Sequence, residues 1–92
     1  MKFPLSFVAT VSRSEFLRLL PAAVGSDVFA DDGDVLTGAS GWRIRLAALP
    51  EIAFGRIPLE RLQVDFSFDG WSAVDVDAFM RRFSLHFQRG GG

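Results

Sequence analysis

Ninety-two residues fit one domain and leave no room for two. Hydrophobic residues at 49% and charged residues at 23% are a globular composition, and a net charge of −1 gives no general attraction to nucleic acid or anionic membranes. The lack of Cys excludes disulfides, thiolate nucleophiles and Cys-based zinc or iron–sulfur sites, and it points to the reducing cytoplasm.

The remaining composition is skewed. Arg supplies nine of the ten cationic side chains, with Lys2 the tenth, and Phe supplies ten of the twelve aromatics. There is no Tyr, and His86 is the only His. Phe has no polar group to satisfy, so most of these rings are expected to fill the core.

In chain order, Phe3, Leu5, Phe7, Ala9 and Val11 alternate with Pro4, Ser6, Val8 and Thr10, the period of a half-buried strand; Pro4 suits a strand start or an edge. Met1 to Val11 has the charge and length of a short signal peptide. Pro4, Ser6 and Thr10 interrupt its apolar run, however, and no small-residue cleavage site follows, so the strand reading is preferred. Ser12 with Glu15 forms a capping box, flanked by Val11 and Phe16 at the staple positions. The predicted helix runs from about Arg13 to Leu20 and stops near Pro21.

Gly25 to Asp34 reads as turn, with Asp31-Asp32-Gly33-Asp34 a loop. Strands are predicted at Val35–Thr37 and from Trp42 to Leu49, joined across Gly38-Ala39-Ser40-Gly41 and ended by Pro50. Ile52-Ala53-Phe54 is a further short strand candidate, and Leu62 to Phe68 alternates most clearly of all. Asp69-Gly70 marks a turn. Ser72 with Asp75, and Trp71 with Val76, then repeat the cap-and-staple pattern. Val76, Phe79, Met80, Phe83 and Phe87 follow helical spacing, with Asp77 and Arg81 placed to pair on the opposite face.

Consecutive strands between two helices predict an α+β two-layer sandwich: an antiparallel sheet of four to five strands with two helices on one face, in the order β-α-β-β-(β)-β-α. The helices are expected over the face bearing Phe3, Phe7, Ile44, Leu46, Val64 and Phe66. Residues 1–89 form the expected single domain and 90–92 a flexible Gly tail. No internal repeat, linker or membrane-length apolar run is present in the sequence.

No constellation of catalytic or metal-ligating residues stands out. His86 has Arg82 at i−4 and Arg89 at i+3 and no carboxylate one turn away, so it reads as a boundary residue. Asp27, Asp31, Asp32 and Asp34 lack the ordered spacing of a calcium loop. Gly38 to Gly41 lacks the Lys-Ser/Thr and the following helix of a phosphate loop, and suits a hairpin. Arg43, Arg45 and Arg61 fall on the polar sheet face with Gln63 and Asp65, either as an anion-binding set or as a solvated face. Leu85 points away from the apolar stripe of the last helix and is a candidate interface residue.

The terminus Arg89-Gly90-Gly91-Gly92 resembles the exposed tail of ubiquitin-like proteins and β-grasp sulfur carriers, which are charged at a C-terminal diglycine. The resemblance covers these residues alone; that fold opens with a hairpin before its helix and its tail follows a strand. The reading favoured by the residues is a cytoplasmic, non-enzymatic binding or accessory module with no cofactor, acting as a homodimer or on another protein. The alternatives are a small enzyme or anion-binding protein using Asp65 with Arg45 or Arg61, and a diglycine carrier.

Overall fold

The computed structural model describes residues 4–26 and 29–90. The elements are β1 (Ser6–Ala9), α1 (Arg13–Val24), β2 (Phe29–Asp31), β3 (Val35–Gly38), β4 (Trp42–Phe54), β5 (Ile57–Phe68) and α2 (Ala73–Gly90). The strands form one antiparallel sheet in the order β1-β5-β4-β3-β2. The expected α+β architecture is present, with five strands and two helices.

Alternation assigns the two sheet faces. Trp42, Ile44 and Leu46 of β4 and Leu62, Val64 and Phe66 of β5 are buried, while Arg43, Arg45 and Ala47 are exposed. The buried set joins Leu36 of β3, Phe16, Leu20 and Ala23 of α1, and Met80 and Phe83 of α2 in one core. Both helices therefore cover the expected face. Phe7 packs against this core; Phe3 lies outside the described residues. Aromatic rings tie the layers together: Phe66 meets Phe83 edge-on at 4.7 Å, and Phe83 stacks on Phe87 at 4.2 Å.

Several boundaries differ from expectation; β5, for one, starts at Ile57 rather than Leu62, because its outer part pairs with the outer part of β4. First, α1 continues through Pro21 to Val24. Pro21 lacks the N–H that would bond one turn back, but the extension buries Ala23 completely beside Leu20. Gly25, at φ +78°, then closes the helix. Its N–H and that of Ser26 both donate to the Pro21 carbonyl, at 2.9 and 3.0 Å. From α2, Arg82 Nε donates to the Ala22 carbonyl at 3.2 Å and places a cation at the negative end of α1.

Second, the turn-rich segment contains the short strand β2, which pairs Phe29 with Gly38 and Ala30 with Thr37. Third, Pro50 does not end β4. The register passes from Leu49↔Arg61 to Ile52↔Leu59, so Pro50 and Glu51 together oppose Glu60 in a β-bulge, and the segment at Ile52 is the outer part of the same strand.

The caps form as expected on one side: Ser12 Oγ accepts from the Glu15 N–H and Ser72 Oγ from the Asp75 N–H, each at 3.2 Å. The Glu15 carboxylate does not return the bond of a full capping box; it binds Arg18 instead. Asp77 pairs with Arg81 at 2.8 Å. Gly38 and Gly41 close the β3–β4 hairpin through a 3.0 Å backbone bond.

Candidate interaction surface

β4 and β5 outrun the rest of the sheet. β3 pairs with Arg43–Arg45 only, and β1 with Leu62–Asp65 only. Beyond Leu49 and Arg61 the two strands continue as a two-stranded ribbon to the turn at Gly55-Arg56. Thirteen extended residues span about 43 Å, close to the molecule's long dimension of 44 Å. The radius of gyration is 13.4 Å against roughly 12 Å for a compact chain of this length. The hairpin sets the shape.

The ribbon's register puts four apolar side chains together. Ile52 pairs with Leu59 and Phe54 with Ile57, and residues two apart on a strand share a face. Ile52 is 42% exposed, Ile57 61% and Phe54 73%, with Leu59 half-buried at the root. Gly55, at φ +66°, takes the first central position of the two-residue turn, the one that a type II′ hairpin gives to glycine. Glu51 and Glu60 alternate with Ile52 and Leu59 and so lie on the opposite face of the ribbon, and Arg56 is the second turn residue; all three are exposed, and their side chains form no hydrogen bond or ion pair among the described residues.

A groove of about 900 Å³ opens beside the ribbon root, lined by Phe7, Leu19, Leu59, Met80, Phe83 and Phe87 among others. Two polar groups at its wall are already committed. Ser12 caps α1, and Glu15 binds Arg18, whose guanidinium holds the Glu15 carboxyl below its usual range. The groove is thus mainly an apolar surface.

The predicted polar face is real in placement, but its members do not converge. Arg45 and Asp65 are cross-strand partners. Asp65 nonetheless accepts from Ser6 Oγ at 2.5 Å and from Gln63 Nε2 at 3.3 Å, with no ion pair to Arg45. Arg61 turns to the Pro50 carbonyl, donating through Nε at 3.1 Å and Nη2 at 2.9 Å, where it braces the bulge. Arg43 and Arg45 are exposed and unpartnered among the described residues. No polar or charged residue among those described is buried, so the buried carboxylate beside an Arg that the enzyme reading needs is not formed by Asp65.

Leu85 is 48% exposed, as expected, but among the described residues the other large exposed apolar side chain of α2, Val74, lies eleven residues away, roughly 16 Å along the axis. His86 is half-buried. Asp31 forms a 2.9 Å ion pair with Arg13 and accepts from the Gly33 N–H at 3.0 Å, the behaviour of an ordinary loop; Asp27 lies outside the described residues. No group of three or more potential metal ligands occurs among the described residues.

The ribbon patch is hidden in the sequence because Pro50 reads as the end of a strand and the next clear alternation begins only at Leu62. The signal was present in the pairing of Ile52 and Phe54 with Ile57 and Leu59 across a two-residue Gly55-Arg56 turn. The diglycine tail is unlike that of the carriers in context: a single strand precedes α1, and the last element is a helix ending at Gly90, with Gly91 and Gly92 outside the described residues. No described helix is long and apolar enough to cross a membrane. Compared with known proteins, the chain matches no family model, no curated protein and no solved structure.

Proposed function

We propose that the chain is a non-enzymatic binding module of the cytoplasm that acts through protein–protein contacts, with the β4–β5 ribbon as its contact surface. The observation that carries this reading is the single apolar face formed by Ile52, Phe54 and Ile57, held in water on a projecting two-stranded ribbon. Isolated exposed apolar residues are normal, but a contiguous set on a projection is the usual mark of an interaction site. The absence of Cys supports the cytoplasmic placement.

The test is photo-crosslinking in the producing cells with p-benzoylphenylalanine at position 54, against the same probe at the exposed turn residue Ala39. A discrete protein adduct from position 54 and none from position 39 is the expected result. Equal or absent labelling at both positions would remove the ribbon as a contact surface.

A further inference from the structure

Resting on the ribbon as contact surface, we propose that its occupant is an acidic amphipathic helix of a partner protein, lying along the uncovered face of the β4–β5 hairpin. Its apolar side chains sit on Ile52, Phe54 and Ile57, and its carboxylates lie over Arg43 and Arg45.

Register makes the ribbon patch and the two arginines one surface. Cross-strand partners share a face, and β5 alternates without interruption from Ile57 to Ser67. Phe54↔Ile57 and Ile52↔Leu59 therefore lie on the same side as Arg45↔Asp65 and Arg43↔Ser67. The other side carries Ile44, Val64 and Phe66, in the core that both helices cover.

Charge calls for an anionic occupant. Along β4 and β5 the open face carries Arg43, Arg45 and Arg61 against Asp65 alone, in a chain of net charge −1. Asp65 is held by Ser6 and Gln63, and Arg61 by the Pro50 carbonyl. Arg43 and Arg45 are left exposed and unpartnered among the described residues, while Glu51 and Glu60 face the other way. Two guanidinium groups about 7 Å apart along a strand suit carboxylates spaced by one helical turn.

The layout favours a protein over other anionic partners. The apolar and basic groups are displaced sideways, by about 20 Å from Leu59 to Asp65 along β5. A bilayer separates its apolar core from its phosphates in depth instead. Laid flat, the face puts both kinds of group at one depth. Inserted tip-first, the ribbon holds Arg45 about 25 Å behind its tip, far beyond a Debye length of about 8 Å. Nucleic acid needs stacking rings, and Phe54 is the one aromatic side chain that β4 and β5 place on this face.

The edges favour a helix over a strand. A two-residue turn makes Phe54↔Ile57 a hydrogen-bonded pair, so the backbone groups of the next pair, Ala53↔Pro58, point outward. Pro58 has no N–H to offer there. On the other edge, the Pro50 carbonyl is taken by Arg61. Strand addition is thus disfavoured on both sides, and an extended segment laid on the face would leave its own backbone unpaired. A helix satisfies its backbone internally, and about thirteen of its residues span 20 Å.

The experiment titrates the full chain calorimetrically with three hydrocarbon-stapled helical peptides of about twenty residues. The first carries Leu and Phe near one end and Glu about thirteen residues away, the second has Lys in place of Glu, and the third scrambles the first. The first should bind about tenfold or more tighter than the other two, and more weakly as salt rises. Arg43→Glu with Arg45→Glu should transfer the preference to the Lys peptide, which also shows that the variant is folded. No binding, equal affinity for the Glu and Lys peptides, or a preference that survives the charge reversal overturns the acidic helix. A chain that ignores the peptides but floats with phosphatidylserine vesicles overturns it in favour of a membrane. If position 54 still crosslinks a protein when the peptides fail, the binding-module reading stands without the helix; if it labels none, that reading falls as well.

Discussion

The indole of Trp42 lies across Gly38, so that a Cβ at position 38 would fall well inside 3.0 Å of three of its ring atoms. Gly38 is also the β2-facing partner of Phe29, whose ring centroid is 6.1 Å from that of Trp42. The glycine is the gap through which the indole crosses β3 to reach the edge strand. Gly38→Ala forces the indole aside or displaces β3, an overpacking cost of about 1–3 kcal/mol. Thermal melting should fall by several degrees, with a red shift of Trp fluorescence as the ring loses its cover. An unchanged melt would mean that the indole has a second place to go.

Phe83 is the centre of the helix–sheet contact. It is 1% exposed and lies within ring-packing distance of Phe7, Phe16, Phe66 and Phe87. Phe83→Ala should cost about 3–5 kcal/mol, and Phe83→Leu about 1–1.5 kcal/mol. Against a total stability of roughly 5–14 kcal/mol for a chain of this length, the first removes a large share. Urea midpoints with unchanged slopes would measure both. A small loss for the Ala variant would show that neighbouring rings collapse into the space.

What was legible in the sequence followed from periodicity under consistent burial. Ile44, Val64 and Phe83 sit where alternation or helical spacing put them, because each element has one buried face. Local punctuation was less reliable. Pro21 and Pro50 read as breaks, yet each lies inside an element, where burial of Ala23 and a bulge braced by Arg61 accommodate it. The candidate site was hidden by the same error, since a strand cut at Pro50 shows no shared apolar face. The Arg43, Arg45, Arg61 and Asp65 set illustrates the converse. Alternation placed them on one face, but which hydrogen bonds they form depends on Ser6 and Pro50, brought in by register and bulge.

Glu15 gives the fold an acid-side dependence whose sign is defined. The Arg18 hydrogen bonds hold its carboxyl below the ordinary value of 4.5, with the charge of Arg18 acting in the same direction. A carboxyl whose folded value is depressed contributes stability fully above its unfolded value, and that contribution is lost as pH falls through the folded one. Glu15→Gln and Arg18→Ala should each flatten the melting curve's slope below about pH 4.5. At still lower pH the Glu15→Gln curve should converge with wild type. The pair is solvent-exposed, so the effect at neutral pH is small. A Glu15→Gln variant with the full acid slope would assign that slope to other carboxylates.

Pro58 should act on assembly rather than on folding. It is exposed, and its cross-strand partner is Ala53, so replacing it with Val removes no core contact and adds a β-branched residue suited to a strand. The replacement also supplies an outward N–H on the free edge of β5, beside the apolar patch of Phe54 and Ile57. An edge that can pair and carries exposed apolar groups is a template for further strands. Pro58→Val is therefore expected to melt at or slightly above the wild-type temperature while forming larger species than wild type in sedimentation velocity. The same substitution made together with Phe54→Ser should suppress those species, because the edge alone has too little apolar area to hold a partner. Oligomers that persist in the double variant would place the aggregating surface elsewhere. If Pro58→Val sediments as wild type does, the proline has no part in guarding the edge.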